Sequence, residues 1–192
     1  MKVYRIEFES DRYQSLIWDG DESRDRSPWL EGGELLFDGA IKEDWVCPPL
    51  RIYDSSRPAG DFFGVGPGCI GVRDRALELV RTELEIAGQL LPVKVGELAG
   101  AILNVTCVVN CLDHERTQWV YGKTTGLPIR CTKWVFRVDL LPESTIFKVS
   151  EQVKTSIFVH TGHGESEDSF LDRVSEHQLT GLRFKLVFDD SD

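Results

Sequence analysis

The twelve residues from Ala101 to Leu112 are apolar or β-branched with few interruptions, and no polar alternation divides them into an inside and an outside set. A strand of that composition has to be covered on both faces, so it predicts the centre of a sheet with further layers on either side. The clearest helix lies just upstream: Ala76, Leu77, Val80, Leu84 and Ala87 recur at three- and four-residue steps over 74–87, the spacing of one helix face. Asp74 suits its positive first turn, and Gly88 is the expected left-handed cap at its end. Leu90 to Val95 then reads as the strand preceding the central one.

Shorter β-rich runs surround this unit. Val3 to Phe8, Trp119 to Tyr121, Trp134 to Val138, Thr145 to Val149 and Ser156 to His160 read as strands bounded by Gly, Pro or charge. Trp45 to Leu50 contains Pro48 and Pro49, which remove two ladder donors and leave a connector or an edge. Arg57 to Gly60 is a turn, and residues 19–34 read as a mobile loop with one apolar anchor at Pro28, Trp29 and Leu30. A second helix is expected over Glu167 to His177, with Phe170, Leu171 and Val174 inward and Ser166 at its cap, before a closing strand from Gly181 to Phe188. With no regular βαβ alternation and no internal repeat, the pattern predicts an α+β fold. The expected form is a largely antiparallel mixed sheet with two principal helices in a single domain over 1–192, more variable and acidic over 1–60.

The 192 residues are 41% apolar and 28% charged, a composition that folds. No stretch of eighteen apolar residues occurs and the first residues lack a signal-peptide core, so a cytoplasmic location is expected. Cys47, Cys69, Cys107, Cys111 and Cys131 are odd in number and lack framework spacing, which predicts reduced, buried thiols. The net charge of −10 is uneven: residues 1–50 contribute −6 and residues 161–192 contribute −5, while the 110 between them sum to +1. Acidic ends repel nucleic acid and anionic membrane and favour a basic protein partner.

Few residues form a chemical signature. Gly66 to Gly71 fits G-x-G-x-x-G by letters, but no buried strand precedes it, so it reads as a glycine-rich turn rather than a nucleotide site. Cys107 and Cys111 with His114 have metal-ligating side chains, yet strand residues four apart stand about 13 Å apart, beyond the reach of one zinc ion. His160 and His163 sit in a loop beside Glu165, Ser166, Glu167 and Asp168, and Asp113 to Arg116 follows the central strand. Either group has acid-base side chains, and either reads as a solvated turn or helix cap. No catalytic residues, cofactor or metal are expected.

The order of motifs carries more than any one of them. Asp61-Phe62-Phe63, the glycine run, the helix, the strand ending Leu112-Asp113, and Leu179-Thr180-Gly181-Leu182-Arg183-Phe184 follow in a sequence that resembles the immunity-protein family of bacterial polymorphic toxin systems, of the type described from a myxobacterium. The similarity covers Ile70 to Leu84, Ile102 to Asp113 and Ser156 to Val187, and departs from the family in the loop around Pro67 and over Asp19 to Glu34. It implies a non-catalytic cytoplasmic antidote that binds a cognate toxin domain and occludes its active site or an essential surface. Charge and aromatic pattern, independently of the resemblance, suggest Asp19, Asp21, Glu22, Asp25 and Trp29 as contacts, with Glu165, Glu167 and Asp168 second. Trp18 and Trp45 read as anchors or as core. A small hydrolase or transferase working through His160, His163 or Asp113 to Arg116, and an acidic regulatory binding module, stay open as alternatives.

Overall fold

The computed structural model describes residues 1–20, 37–162 and 169–191, and the backbone of 30–31 and 34–35. Strands β1 (Lys2–Phe8), β2 (Leu16–Trp18), β3 (Leu30–Glu31), β4 (Glu34–Leu35), β5 (Leu50–Ile52), β6 (Phe62–Phe63) and β7 (Cys69–Arg73) lead to helix α1 (Asp74–Ala87). Strands β8 (Gly88–Val95), β9 (Leu98–Val105), β10 (Val108–Val109), β11 (Gln118–Tyr121), β12 (Pro128–Lys133), β13 (Ile146–Val149) and β14 (Phe158–His160) follow. Helix α2 (Phe170–Glu176) and strand β15 (Leu182–Asp189) close the chain. The fold is α+β and mostly antiparallel, as the sequence predicts, with nine of the described strands in two principal sheets and the other six in the pairs β2-β5, β3-β4 and β11-β12. One runs β10-β13-β14-β1-β15 and the other β6-β7-β9-β8. Only the β10–β13 pair is parallel among the described pairings of these two sheets.

Side-chain alternation explains the layering. In β9, Ala101, Leu103 and Val105 face the core shared with α1, while Leu98 and Ile102 face a second core on the other side of the same sheet. The strand is therefore buried on both faces, as its composition requires. The helix contributes Ala76, Leu77, Val80, Leu84 and Ala87 to the shared core, the face its spacing predicts, and Ile6, Ile146 and Val159 of the five-stranded sheet close that core together with Ile157 just before β14. Leu16, Phe37, Trp45 and Leu50 cover the outer face of the four-stranded sheet. Residues 111–141 cover the outer face of the five-stranded sheet with Cys111, Leu112, Trp134, Phe136 and Leu141.

Several expected boundaries move, each for a local reason. The run Ala101 to Leu112 is not one strand: β9 ends at Val105, where the amides of Thr106 and Cys107 both donate to the Ala87 carbonyl, and β10 resumes in the other sheet. Gly88 is not a left-handed cap, because it has extended backbone and begins β8. Trp134 to Val138 forms no strand beyond a single bridge between Leu112 and Phe136; its aromatic side chains act as a covering layer. Helix α2 starts three residues later than expected and is capped by Ser169, not Ser166, in a capping box with Asp172. Phe170 and Val174 are buried within it and Leu171 partly so. The cysteines are free, but only Cys69 and Cys111 are buried; Cys47, Cys107 and Cys131 are half-buried. Most of the loop expected over 19–34 lies outside the described residues.

The two ends of the motif order meet. The Thr180 amide and hydroxyl both donate to one Asp61 carboxylate oxygen at 2.8 Å. The Asp61 amide returns a bond to the Thr180 hydroxyl at 3.1 Å, and the Phe62 amide donates to the Thr180 carbonyl at 2.9 Å. This knot ties the edge strand of one sheet to the start of the edge strand of the other. Replacing Asp61 with Ala leaves a Thr180 amide without its acceptor, and such a loss costs about 2 kcal/mol. Urea unfolding of Asp61→Ala should show it as a lower midpoint at unchanged slope; a midpoint equal to wild type would mean that the knot contributes nothing.

Candidate protein-interaction surface

Of the residues that charge and aromatic pattern point to, Asp19 is described. It sits half-exposed just after β2, its carboxylate 2.9 Å from Arg51 Nε, so it has an internal partner and is not an unopposed acid. Asp21, Glu22, Asp25, Trp29, Glu165, Glu167 and Asp168 lie outside the described residues, as do His163 and Ser166. Trp45 is a covering residue: its ring centroid is 6.4 Å from that of Phe37, and its indole N–H donates to the Pro92 carbonyl at 3.1 Å. Trp18 lines a cleft of about 580 Å³ with Phe8, Ser15, Leu16, Val65 and Pro67. The glycine run Gly66 to Gly71 enters β7 rather than a helix N-terminus, and its last residues, Cys69 to Gly71, pair in the sheet.

The acid-base candidates among the described residues make structural contacts. His160 is fully buried; its Nδ1 accepts the Gly162 amide at 3.0 Å, which leaves Nε2 to donate to the Pro142 carbonyl at 3.0 Å. Both ring nitrogens are thus committed to backbone, and His160 is no solvent-facing base. Asp113 accepts the amides of Glu115 and Arg116 and fixes the turn after Leu112, while His114 pairs with Glu151 at 3.2 Å. Burial pushes the Cys69 and Cys111 thiols up to about 12, so they stay protonated at neutral pH and are poor nucleophiles. Among the described residues no group of three or more His, Cys, Asp or Glu side chains is placed to hold a metal ion.

The surface that stands out is a two-stranded ribbon. β11 and β12 pair antiparallel, with Trp119 opposite Cys131 and Val120 opposite Arg130. The foot of the ribbon is anchored by Trp119, whose ring meets Trp134 edge-on at 5.6 Å, and Trp134 in turn meets Phe158 at 4.9 Å. Beyond that anchor the side chains turn outward: Tyr121, Leu127 and Ile129 are 57%, 65% and 66% exposed, and Val120 is exposed beside them. Gly126, with φ of +64°, turns the tip, its amide donating to the Gly122 carbonyl at 2.9 Å.

The charge of this region is unlike the rest. From Arg116 to Arg137 there are five bases (Arg116, Lys123, Arg130, Lys133 and Arg137) and no acid, so the other 170 residues of the −10 chain carry −15. At the foot of β12, Arg5, Lys133 and Lys185 line a groove of about 250 Å³ together with Cys131 and Leu186. Summing charge over the middle 110 residues conceals this basic run, because flanking acids cancel it; a 22-residue window without an acid is the signal that would have found it.

No protein-family model matches this chain, and no curated protein matches it. No helix among the described residues is long and apolar enough to cross a membrane.

Proposed function

We propose that this chain is a binding protein that neutralises a cognate toxin domain by occluding its active site or an essential surface. The observation that carries the reading is where the family-like residues go. Asp61, Phe62, Thr180 and Gly181 meet one another and join two sheets, a structural role that supports reading the pattern as a scaffold. A scaffold of that kind leaves the exposed surface free to vary with the partner. Buried histidine and protonated core thiols fit the same reading, since neither equips the scaffold for catalysis.

A lethal partner requires slow dissociation, and slow dissociation comes from desolvated aromatic and apolar anchors, with charge acting mainly on the encounter. The acidic ends suit a basic face of the toxin; Asp19, the described residue of that set, is itself paired with Arg51.

The test is co-expression with the toxin domain encoded immediately upstream. Host survival together with a co-purifying complex is the expected result. Loss of viability equal to toxin alone, with the chain shown to be folded, would reject the reading.

A further inference from the structure

We propose that the ribbon β11–β12, with the groove at its foot, is a docking arm for a protein surface that carries carboxylates beside an apolar slot. This goes beyond neutralisation, because it concerns the chemistry of the contact and holds whatever the partner does.

Charge selects the class of partner. The arm spans the acid-free run from Arg116 to Arg137, and the groove adds Lys185 beside Arg5, which is already paired with Glu7, so bases extend from the tip of the ribbon to the sheet beneath it. A nucleic acid would answer that charge, but a polyanion long enough to follow the ribbon also meets a body carrying −15, and repulsion over a Debye length of about 8 Å opposes it. A protein offers its carboxylates locally and escapes that repulsion. The sign also separates this surface from the acidic ends: a partner that meets both must be basic in one place and acidic in another, which restricts the choice of partner more than a single sign does.

The apolar residues indicate depth. Tyr121, Leu127 and Ile129 lie where the strands join the turn, and each is more than half exposed. Large apolar side chains gathered at the end of an element with few contacts of its own mark an interaction site, and a tyrosine among them is a frequent anchor. The outer edges of β11 and β12 are unpaired among the described residues, so the ribbon can also offer main-chain bonds to an added strand. Trp119 against Trp134 fixes the foot, which lowers the ordering cost when the arm is engaged.

The decisive experiment measures fluorescence anisotropy of three labelled probes against the full chain: an alternating glutamate-leucine peptide, a polyglutamate peptide of equal length, and duplex DNA. The alternating peptide should bind best, and more tightly at about 20 mM than at about 150 mM salt. Lys123→Glu/Arg130→Glu/Lys133→Glu should weaken binding of both peptides by about tenfold or more. Tyr121→Ser/Ile129→Ser should weaken the alternating peptide by about fivefold while sparing polyglutamate. Asp19→Lys, on the opposite-signed surface, should not weaken either peptide. All the substituted ribbon side chains are exposed, so circular dichroism and thermal midpoints should match wild type; should one variant misfold, the salt dependence of the wild-type chain and the other variant decide. No binding of either peptide, equal binding by the charge-reversed chain, or preferential binding of DNA would each overturn the proposal, whether or not the toxin reading survives.

Discussion

Gly181→Ala is expected to destabilise the fold by roughly 3–5 kcal/mol, lowering the thermal midpoint by about 10 °C or more. Two separate causes act at this position. Its φ of +101° lies where L side chains are rarely found, and a Cβ there would stand 2.2 Å from the Phe62 carbonyl oxygen. The neighbouring backbone cannot withdraw, because the Phe62 amide is held to the Thr180 carbonyl at 2.9 Å and the Glu9 amide to the Gly181 carbonyl at 3.0 Å. Two other glycines separate the causes. Gly126 has φ of +64° with nothing within 4 Å of its Cβ position, so Gly126→Ala should lose only about 1 kcal/mol from backbone conformation. Gly88 has ordinary extended backbone, yet a Cβ there would stand 2.1 Å from the Asn104 carbonyl, so Gly88→Ala reports crowding alone. Denaturant midpoints should fall in the order Gly126→Ala least, then Gly88→Ala, then Gly181→Ala. A Gly181→Ala chain as stable as Gly126→Ala would show that the meeting of the two sheets yields easily and that the knot at Asp61 and Thr180 is not what joins them.

Such close approaches mark the limit of what the sequence discloses. Helix α1 is legible down to its five inward residues because a 3.6-residue period leaves a single face for apolar side chains. β1, β11, β13 and β15 are legible for the same reason of local pattern. The break between Val105 and Val108 is hidden, since both flanking strands are apolar and a change of sheet leaves no mark in composition; its cause is two amides converging on the Ala87 carbonyl, some twenty residues away in sequence. The strand expected over Trp134 to Val138 fails in the opposite sense. Its aromatic residues are buried as the pattern requires, with Trp134 and Phe136 stacked at 6.2 Å, but they lie across a sheet and do not extend one. The candidate surface is the least legible part. Asp19 is found paired with Arg51, a contact from just past β2 to β5 that no local pattern announces, and the basic ribbon is invisible in averages over long segments.

Lys148→Met is expected to stabilise the chain at pH 7 and to lose that advantage as the pH rises. Lys148 lies in the middle of β13, fully buried, its Nζ donating to the Phe37 carbonyl at 2.7 Å. Burial dominates its titration and pulls the pKa down from 10.5 to about 8; Cys69 and Asp38 oppose the shift, and Lys42 adds to it. The unfolded chain therefore binds this proton more tightly than the folded one. Below about pH 8 both states are protonated and the fold carries the full penalty, about 3 kcal/mol at 1.4 kcal/mol per pKa unit. Between about 8 and 10.5 the unfolded chain holds more protons, so stability rises with pH through this window, and above it the penalty is gone. Methionine removes the penalty at every pH but leaves the Phe37 carbonyl without its donor, a loss of about 1–2 kcal/mol. The variant should therefore be about 1–2 kcal/mol more stable than wild type at pH 7 and less stable by a similar amount near pH 10.5. The Cys69 and Cys111 thiols, raised to about 12, act in the opposite direction from about pH 9 upward, because the unfolded chain loses those protons first. They are present in both chains and cancel, to first order, when the two are compared. Urea unfolding of wild type and Lys148→Met across pH 7 to 10.5 reads the difference directly. A difference independent of pH would mean that the Lys148 ammonium is held charged inside the fold without cost, by a compensation that Asp38 and the Phe37 carbonyl would then have to supply.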